Sequence, residues 1–194
     1  IFALYAISYC LVQGLIPASW PVRVGAAVVF GLCQVLPLLH VMHDASHTAI
    51  GHTESSYKFW GQLTLDWMAG CSMLSWHHQH TIGHHVYTNV YGADPDLPAG
   101  GEPRRFVERQ KWAAIYQWQW LYMPVLYGLL AFKVRVDDVV FVWLQGMDGP
   151  IRVNYYDSPL FRVFAVKGGW IFYRFVLPLL VWGVPFKTWL ALFI

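Results

Sequence analysis

Two long uncharged stretches open the chain. Residues 1 to 16 are apolar or small and end at Pro17-Ala18-Ser19-Trp20-Pro21, where two prolines interrupt a helix, and a second stretch runs from Val24 to Met42. A bilayer-crossing helix needs about 20 apolar residues, so the pattern predicts a helical hairpin over 1–42 whose first helix is cut short. The second helix carries His40, His43 and His47 at its far end on one face, near the membrane surface from which the hairpin starts. Residues 48–58 are polar. Beyond them Trp60, Leu63, Trp67, Cys71 and Leu74 recur at helical spacing while Gln62 and Asp66 occupy another face, which predicts an amphipathic helix lying in the interface.

That helix leads into WHHQHTIGHHVYTN, residues 76–89, on the same side of the membrane as the first histidines. A turn-rich passage follows, with Asp94-Pro95-Asp96 and Pro98-Ala99-Gly100-Gly101, and then Arg104, Arg105, Arg109 and Lys111. Residues 112–132 are again apolar and aromatic. Lys133, Arg135, Arg152, Arg162 and Lys167 come after them, and the positive-inside tendency places all these cations on one face, so 112–132 is read as interfacial or re-entrant. From Gly168 to Ile194 two apolar stretches flank the break Gly183-Val184-Pro185-Phe186-Lys187, the start of a second hairpin whose return helix is unfinished. The expectation is an all-α integral membrane protein with two transmembrane hairpins, the second incomplete, interfacial helices and a histidine-rich cap. Its regions are a hairpin over 1–42, a histidine region over 43–111, an interfacial segment over 112–167 and a second hairpin beginning at 168–194.

Composition sharpens this reading. Of 194 residues 57% are apolar, 18% aromatic and only 12% charged, against about 25% charged in soluble domains. A soluble domain with an unusually apolar core is the competing reading. The net charge of +2, without a run of like charges, excludes nucleic acid as the expected partner. Cys10, Cys33 and Cys71 are widely spaced and read as small buried side chains rather than disulfides or thiolate ligands. Both ends fall inside apolar stretches, so the sequence reads as an internal piece.

Five of the nine histidines, His77, His78, His80, His84 and His85, lie in the central stretch. Neutral imidazole suits iron, copper, zinc and nickel. A helix places residues four apart on one face, so His43 pairs with His47, and His80 converges with His84 while His85 points to a neighbouring position. His43, His47, His80, His84 and His85 are the candidate metal ligands and catalytic residues. They are too few to hold two metals at ordinary coordination numbers, so at least one further ligand group is missing. His40 is a supporting partner or an interfacial side chain, His77 and His78 are secondary candidates, and His52 is solvated. Asp44 orients an imidazole or caps locally, while Asn89, Asp94 and Asp96 support the site or form turns. The basic group at 104–111 holds phosphates or marks topology.

HDASH at 43–47 and QHTIGHH at 79–85 resemble the first two histidine boxes of the membrane fatty acyl desaturases. VYTN, ADPDL, LYGLLAFKVR and IRVN are similar to the front-end group with fused cytochrome b5, and closest in look to delta-5 members. The resemblance implies a non-haem di-iron enzyme, multi-pass in the endoplasmic reticulum membrane, with its site facing the cytosol. It implies His43, His47, His80, His84 and His85 as iron ligands, electrons from cytochrome b5 through a NADH-dependent reductase, and O2 as oxidant. The substrate would be a fatty acyl chain on CoA or phospholipid, which gains a cis double bond on the carboxyl side of an existing one. The family's third box, Q-x-x-H-H, and the haem motif H-P-G-G do not occur in the sequence. Both are expected in a longer parent, so the isolated segment is expected to be inactive. A related membrane hydroxylase or monooxygenase, and a non-catalytic membrane metal-binding protein, are the alternatives. Histidines at helix ends rather than within spans speak against transport.

Overall fold

The computed structural model describes residues 1–97, 103–148, 151–152 and 167–193. Almost every element among them is helical. The chain divides into two compact units, one made of Ile1–Gly70 with Phe161–Ile194 and the other of Cys71–Leu160.

In the first unit, helix α1 (Phe2–Gln13) ends at Gly14, whose φ of 76° returns its N–H to the last carbonyls of the helix. A side chain there would be strained. Arg23 donates to the Val12 carbonyl, in the last turn of the helix, at 2.7 Å. Helix α2 (Trp20–Ser46) has 27 residues and is long and apolar enough to cross a membrane. At 1.5 Å per residue it is about 40 Å long. Pro21 sits in its first turn, where the missing N–H costs no hydrogen bond. Pro37 lies inside it, and the helix widens to i→i+5 hydrogen bonding over Leu38–Met42, because a proline ring removes one donor and crowds the carbonyl four residues back. Val12, Ala26, Phe30 and Leu192 form the buried cluster that joins α1 to α2 and to the last helix. Other α2 side chains, Val28, Leu32 and Leu39 among them, remain exposed and apolar. The described residues thus contain one long apolar helix, a coarser result than the two crossing hairpins expected from the sequence.

Thr53 caps the helix Glu54–Gly61 through its Oγ1, which accepts the Ser56 N–H at 3.3 Å. The helix continues with i→i+5 turns over Gln62–Ala69 and stops at Gly70, φ 70°, rather than running on through Leu74. A Cβ on Gly70 would stand 2.4 Å from the Trp170 ring, so this stop is also a close approach. Thr64 and Asp66 are buried while Trp67 is 51% exposed, so the apolar face that the sequence reading turned toward the membrane interface carries Trp67 at the surface. Gln34 and Tyr173 both donate to the Met68 carbonyl, at 2.6 and 2.7 Å, and Lys167 donates to that of Gly70. Arg174, in the helix Phe172–Val181, is buried between the rings of Phe30 and Phe193 at 4.7 and 4.5 Å. The chain then breaks at Gly183 and Pro185 before Phe186–Phe193, where the sequence placed its break.

The second unit begins with an anchored helix start. Buried Asp138 accepts the Ser72 N–H at 2.7 Å, and Ser72 Oγ accepts that of Ser75 at 3.2 Å. Met73–Trp76 continues through His77–His84 with i→i+5 turns and ends at His85–Tyr87. Farther on, the apolar 112–132 segment is divided between the helices Gln119–Gly128 and Leu130–Asp137, of 10 and 8 residues. Neither is long enough to cross a bilayer. Both expose apolar side chains, including Trp120 at 69% and Val125 at 67%. After Asp138–Gln145, Gly146 at φ 63° turns the chain into a two-residue antiparallel ladder, Met147–Asp148 against Ile151–Arg152, which the all-α expectation lacked. The predicted turn at Pro98, Ala99, Gly100 and Gly101, the cation Arg162 and the Asn154 end of IRVN lie outside the described residues.

Candidate metal site

His43 and His47 stand at the end of α2, where the His47 N–H bonds back to the His43 carbonyl at 3.3 Å. Their ring centroids are 4.7 Å apart, so the four-residue spacing does what a helix end predicts. Asp44 Oδ1 lies 3.5 Å from His43 Nδ1, with both side chains well exposed. His40 and His52 are exposed.

In the other unit the three box histidines cluster, with His85 drawn closest to His80. His80 Nε2 and His85 Nε2 stand 3.1 Å apart. The His80 and His84 rings stack at 5.9 Å between centroids. The i→i+5 turns over His77–His84 account for the His80–His85 contact, since they swing a residue five positions along toward the face of the first while keeping the one four along beside it. Trp76 stacks on His80 at 4.3 Å, fixing the plane of that imidazole. The sequence reading passed over Trp76, although its four-residue distance from His80 was the available signal. His77 is exposed, while buried His78 places its Nδ1 2.8 Å from the Leu74 carbonyl and serves the helix itself.

His84 turns its Nδ1 toward two carboxylates, Asp94 Oδ1 at 3.0 Å and Asp96 Oδ2 at 3.3 Å. Asp94 is buried and Asp96 is held by the Gln79 side-chain amide. The hydrogen bond that His84 donates to Asp94 raises the imidazole pKa above its ordinary value. Burial alone would raise the Asp94 carboxyl, but hydrogen bonds from His84 and from the Asp96 and Asn89 N–H groups outweigh it and hold the carboxyl below the usual range. Two of the four basic residues at 104–111 have structural employment. Arg105 donates to the Gln110 and Glu108 carbonyls at 2.9 and 3.1 Å, and Arg104 reaches Asp96 O at 3.3 Å and the Tyr127 hydroxyl at 3.4 Å.

The donor set fits an imidazole-bound first-row metal. His80 and His85 meet through their Nε2 atoms at 3.1 Å, a hydrogen-bond distance that a shared cation about 2.1 Å from each nitrogen would nearly preserve. Imidazoles suit iron among other metals.

Residues 18–194 match the fatty acid desaturase family. The chain belongs to that family. It is 40% identical over 157 residues to Delta(5) fatty acid desaturase A of Dictyostelium discoideum, covering 79% of this chain and 33% of that protein. It is 38% identical over 164 residues to an acyl-lipid (8-3)-desaturase of Mortierella alpina, covering 83% and 36%. To an sn-1 linoleoyl-lipid 6-desaturase of a Synechocystis strain it is 29% identical over 164 residues, covering 84% and 45%. The desaturase chain therefore spans about a third of the length of the first two relatives. No solved structure matches it. The front-end resemblance read from the histidine boxes and their flanks agrees with these relatives, which are fatty acid and acyl-lipid desaturases by name.

Proposed function

We propose that the full-length desaturase to which this chain belongs adds a cis double bond at carbon five of a twenty-carbon polyunsaturated acyl chain, carried on phospholipid or CoA. The observation that carries the reading is the convergence of His80 and His85 at 3.1 Å beside a carboxylate-held His84, within a desaturase-family sequence. The names of the relatives, delta-5 among them, favour the position.

His43 and His47 hold metal together with His80, His84 and His85 in a single dinuclear iron site, completed by ligands beyond this segment. Iron held there supplies the O2-dependent removal of one hydrogen from each of two adjacent methylenes. O2, two electrons and two protons are consumed with those two hydrogens, leaving one double bond and two waters. The electrons come from cytochrome b5, reduced through a NADH-dependent reductase and fused to the enzyme. Trp76 keeps the His80 ring in plane. Helix α2 crosses the endoplasmic reticulum membrane as half of the first of two hairpins, with the histidines at its cytosolic end. The exposed aromatic and aliphatic side chains of 112–132 lie in the interface.

Feeding cells that express the full-length gene with a twenty-carbon polyunsaturated acid tests this reading by product analysis. A new double bond at carbon five is expected. A bond at carbon four or six, or a hydroxylated product, contradicts it.

A further inference from the structure

Asp94 is the most enclosed acidic side chain near the histidines, with its carboxylate 1% exposed. Each of its oxygens has a defined donor. Oδ1 lies 3.0 Å from His84 Nδ1 and accepts the Asp96 N–H at 2.9 Å, while Oδ2 accepts the Asn89 N–H at 2.8 Å. An ionised carboxylate only accepts, so the imidazole nitrogen facing it carries the proton and Nε2 keeps its lone pair. Asp96 Oδ2, 3.3 Å from the same nitrogen, asks for the same proton. Metal-ligating histidines commonly use such a carboxylate to fix tautomer and ring orientation.

The carboxylate reaches His84 because the 94–96 loop lies directly on the helix. The point of approach is Gly83, where a Cβ would meet Pro95 Cγ at 2.9 Å and the His78 carbonyl at 3.2 Å. Any larger residue at 83 would push the loop away. Asn89 closes the turn with φ at 63°, a conformation that asparagine tolerates better than most residues. The glycine within QHTIGHH and the aspartate of ADPDL thus serve one arrangement.

We propose that Asp94 is a positioning residue that fixes the His84 imidazole with Nδ1 protonated, so that Nε2 is the atom it offers to metal. This rests on the reading of the histidines as an iron site. With both oxygens engaged by N–H donors, Asp94 orients the ligand rather than binding metal itself. Asp94→Asn replaces one acceptor by a donor. Whichever way the amide turns, it faces either the Asn89 N–H or His84 Nδ1 with the wrong group.

The test is an anaerobic Fe(II) titration of the metal-free full-length protein against a competing chelator, in four versions: wild type, Asp94→Asn, His84→Ala and the double variant. Asp94→Asn is expected to weaken iron binding about 10–100-fold in the wild-type background. In the His84→Ala background it should change affinity by no more than about twofold, since the group through which it acts is gone. An equal loss in both backgrounds, or no loss in the first, overturns the proposal and leaves the site reading intact. A wild type that binds no iron overturns the site reading and this inference with it. Should Asp94→Asn not accumulate as folded protein, Gly83→Ala makes the same test from the helix side. It should weaken iron binding, with recovery when Pro95→Ala relieves the contact, and unchanged affinity in Gly83→Ala overturns the proposal.

Discussion

The two histidine boxes are built differently. His43 and His47 sit at the end of a long apolar helix, and their spacing alone brings the rings to 4.7 Å. The Asp44 carboxylate beside His43 is well exposed and 3.5 Å away. The second box is assembled in layers. Trp76 packs on His80, Asp94 and Asp96 face His84, Gln79 holds Asp96, and a turn of wider pitch draws His85 to His80. One cluster is placed by helix periodicity and the other by a loop folded back on a modified helix. Substitutions around the second box should therefore be felt at more positions.

Removing a ligand has the largest expected effect, and here the boxes should behave alike. His47→Ala and His85→Ala in the full-length protein should each lower desaturation more than about 100-fold, beyond the range for outer partners, as measured by product yield per enzyme. Next comes the supporting layer, where they should diverge. Asp94→Asn should lower iron affinity about 10–100-fold. Trp76→Leu removes a ring stack worth about 0.5–1.5 kcal/mol and should weaken iron binding about 2–10-fold, read in the same chelator competition. Asp44→Asn should have the smallest effect, under about fivefold, because exposed charge pairs contribute little. Equal effects of the two aspartate variants would remove the distinction drawn between the boxes.

The boundaries of the apolar stretches were legible in the chain, as was the break at Gly183 and Pro185. The histidines could be named as a metal set because few other roles explain such a density of imidazole. Periodicity was less informative where the helix departs from 3.6 residues per turn. Over Gln62–Ala69 Asp66 is buried and Trp67 exposed, and over His77–His84 the wider turns add a His80–His85 contact to the His80–His84 stack. Nothing in a single sequence marks such turns directly, although each segment adjoins or contains a glycine, at Gly61 and Gly83. Asp94 could be suspected from ADPDL. Its hydrogen bond to His84, however, spans ten residues of irregular loop, for which sequence offers no spacing rule. The two-residue ladder at Met147–Asp148 and Ile151–Arg152 was too short to leave an alternating pattern.

The proposed function requires that both boxes, different as they are in construction, supply ligands to the iron of the full-length protein. Iron analysis of the purified full-length protein, alone and with His43→Ala or His85→Ala, tests it most directly. The account predicts two irons per polypeptide in the wild type and no more than one in either variant. Two irons retained in either variant, or none in the wild type, would contradict it.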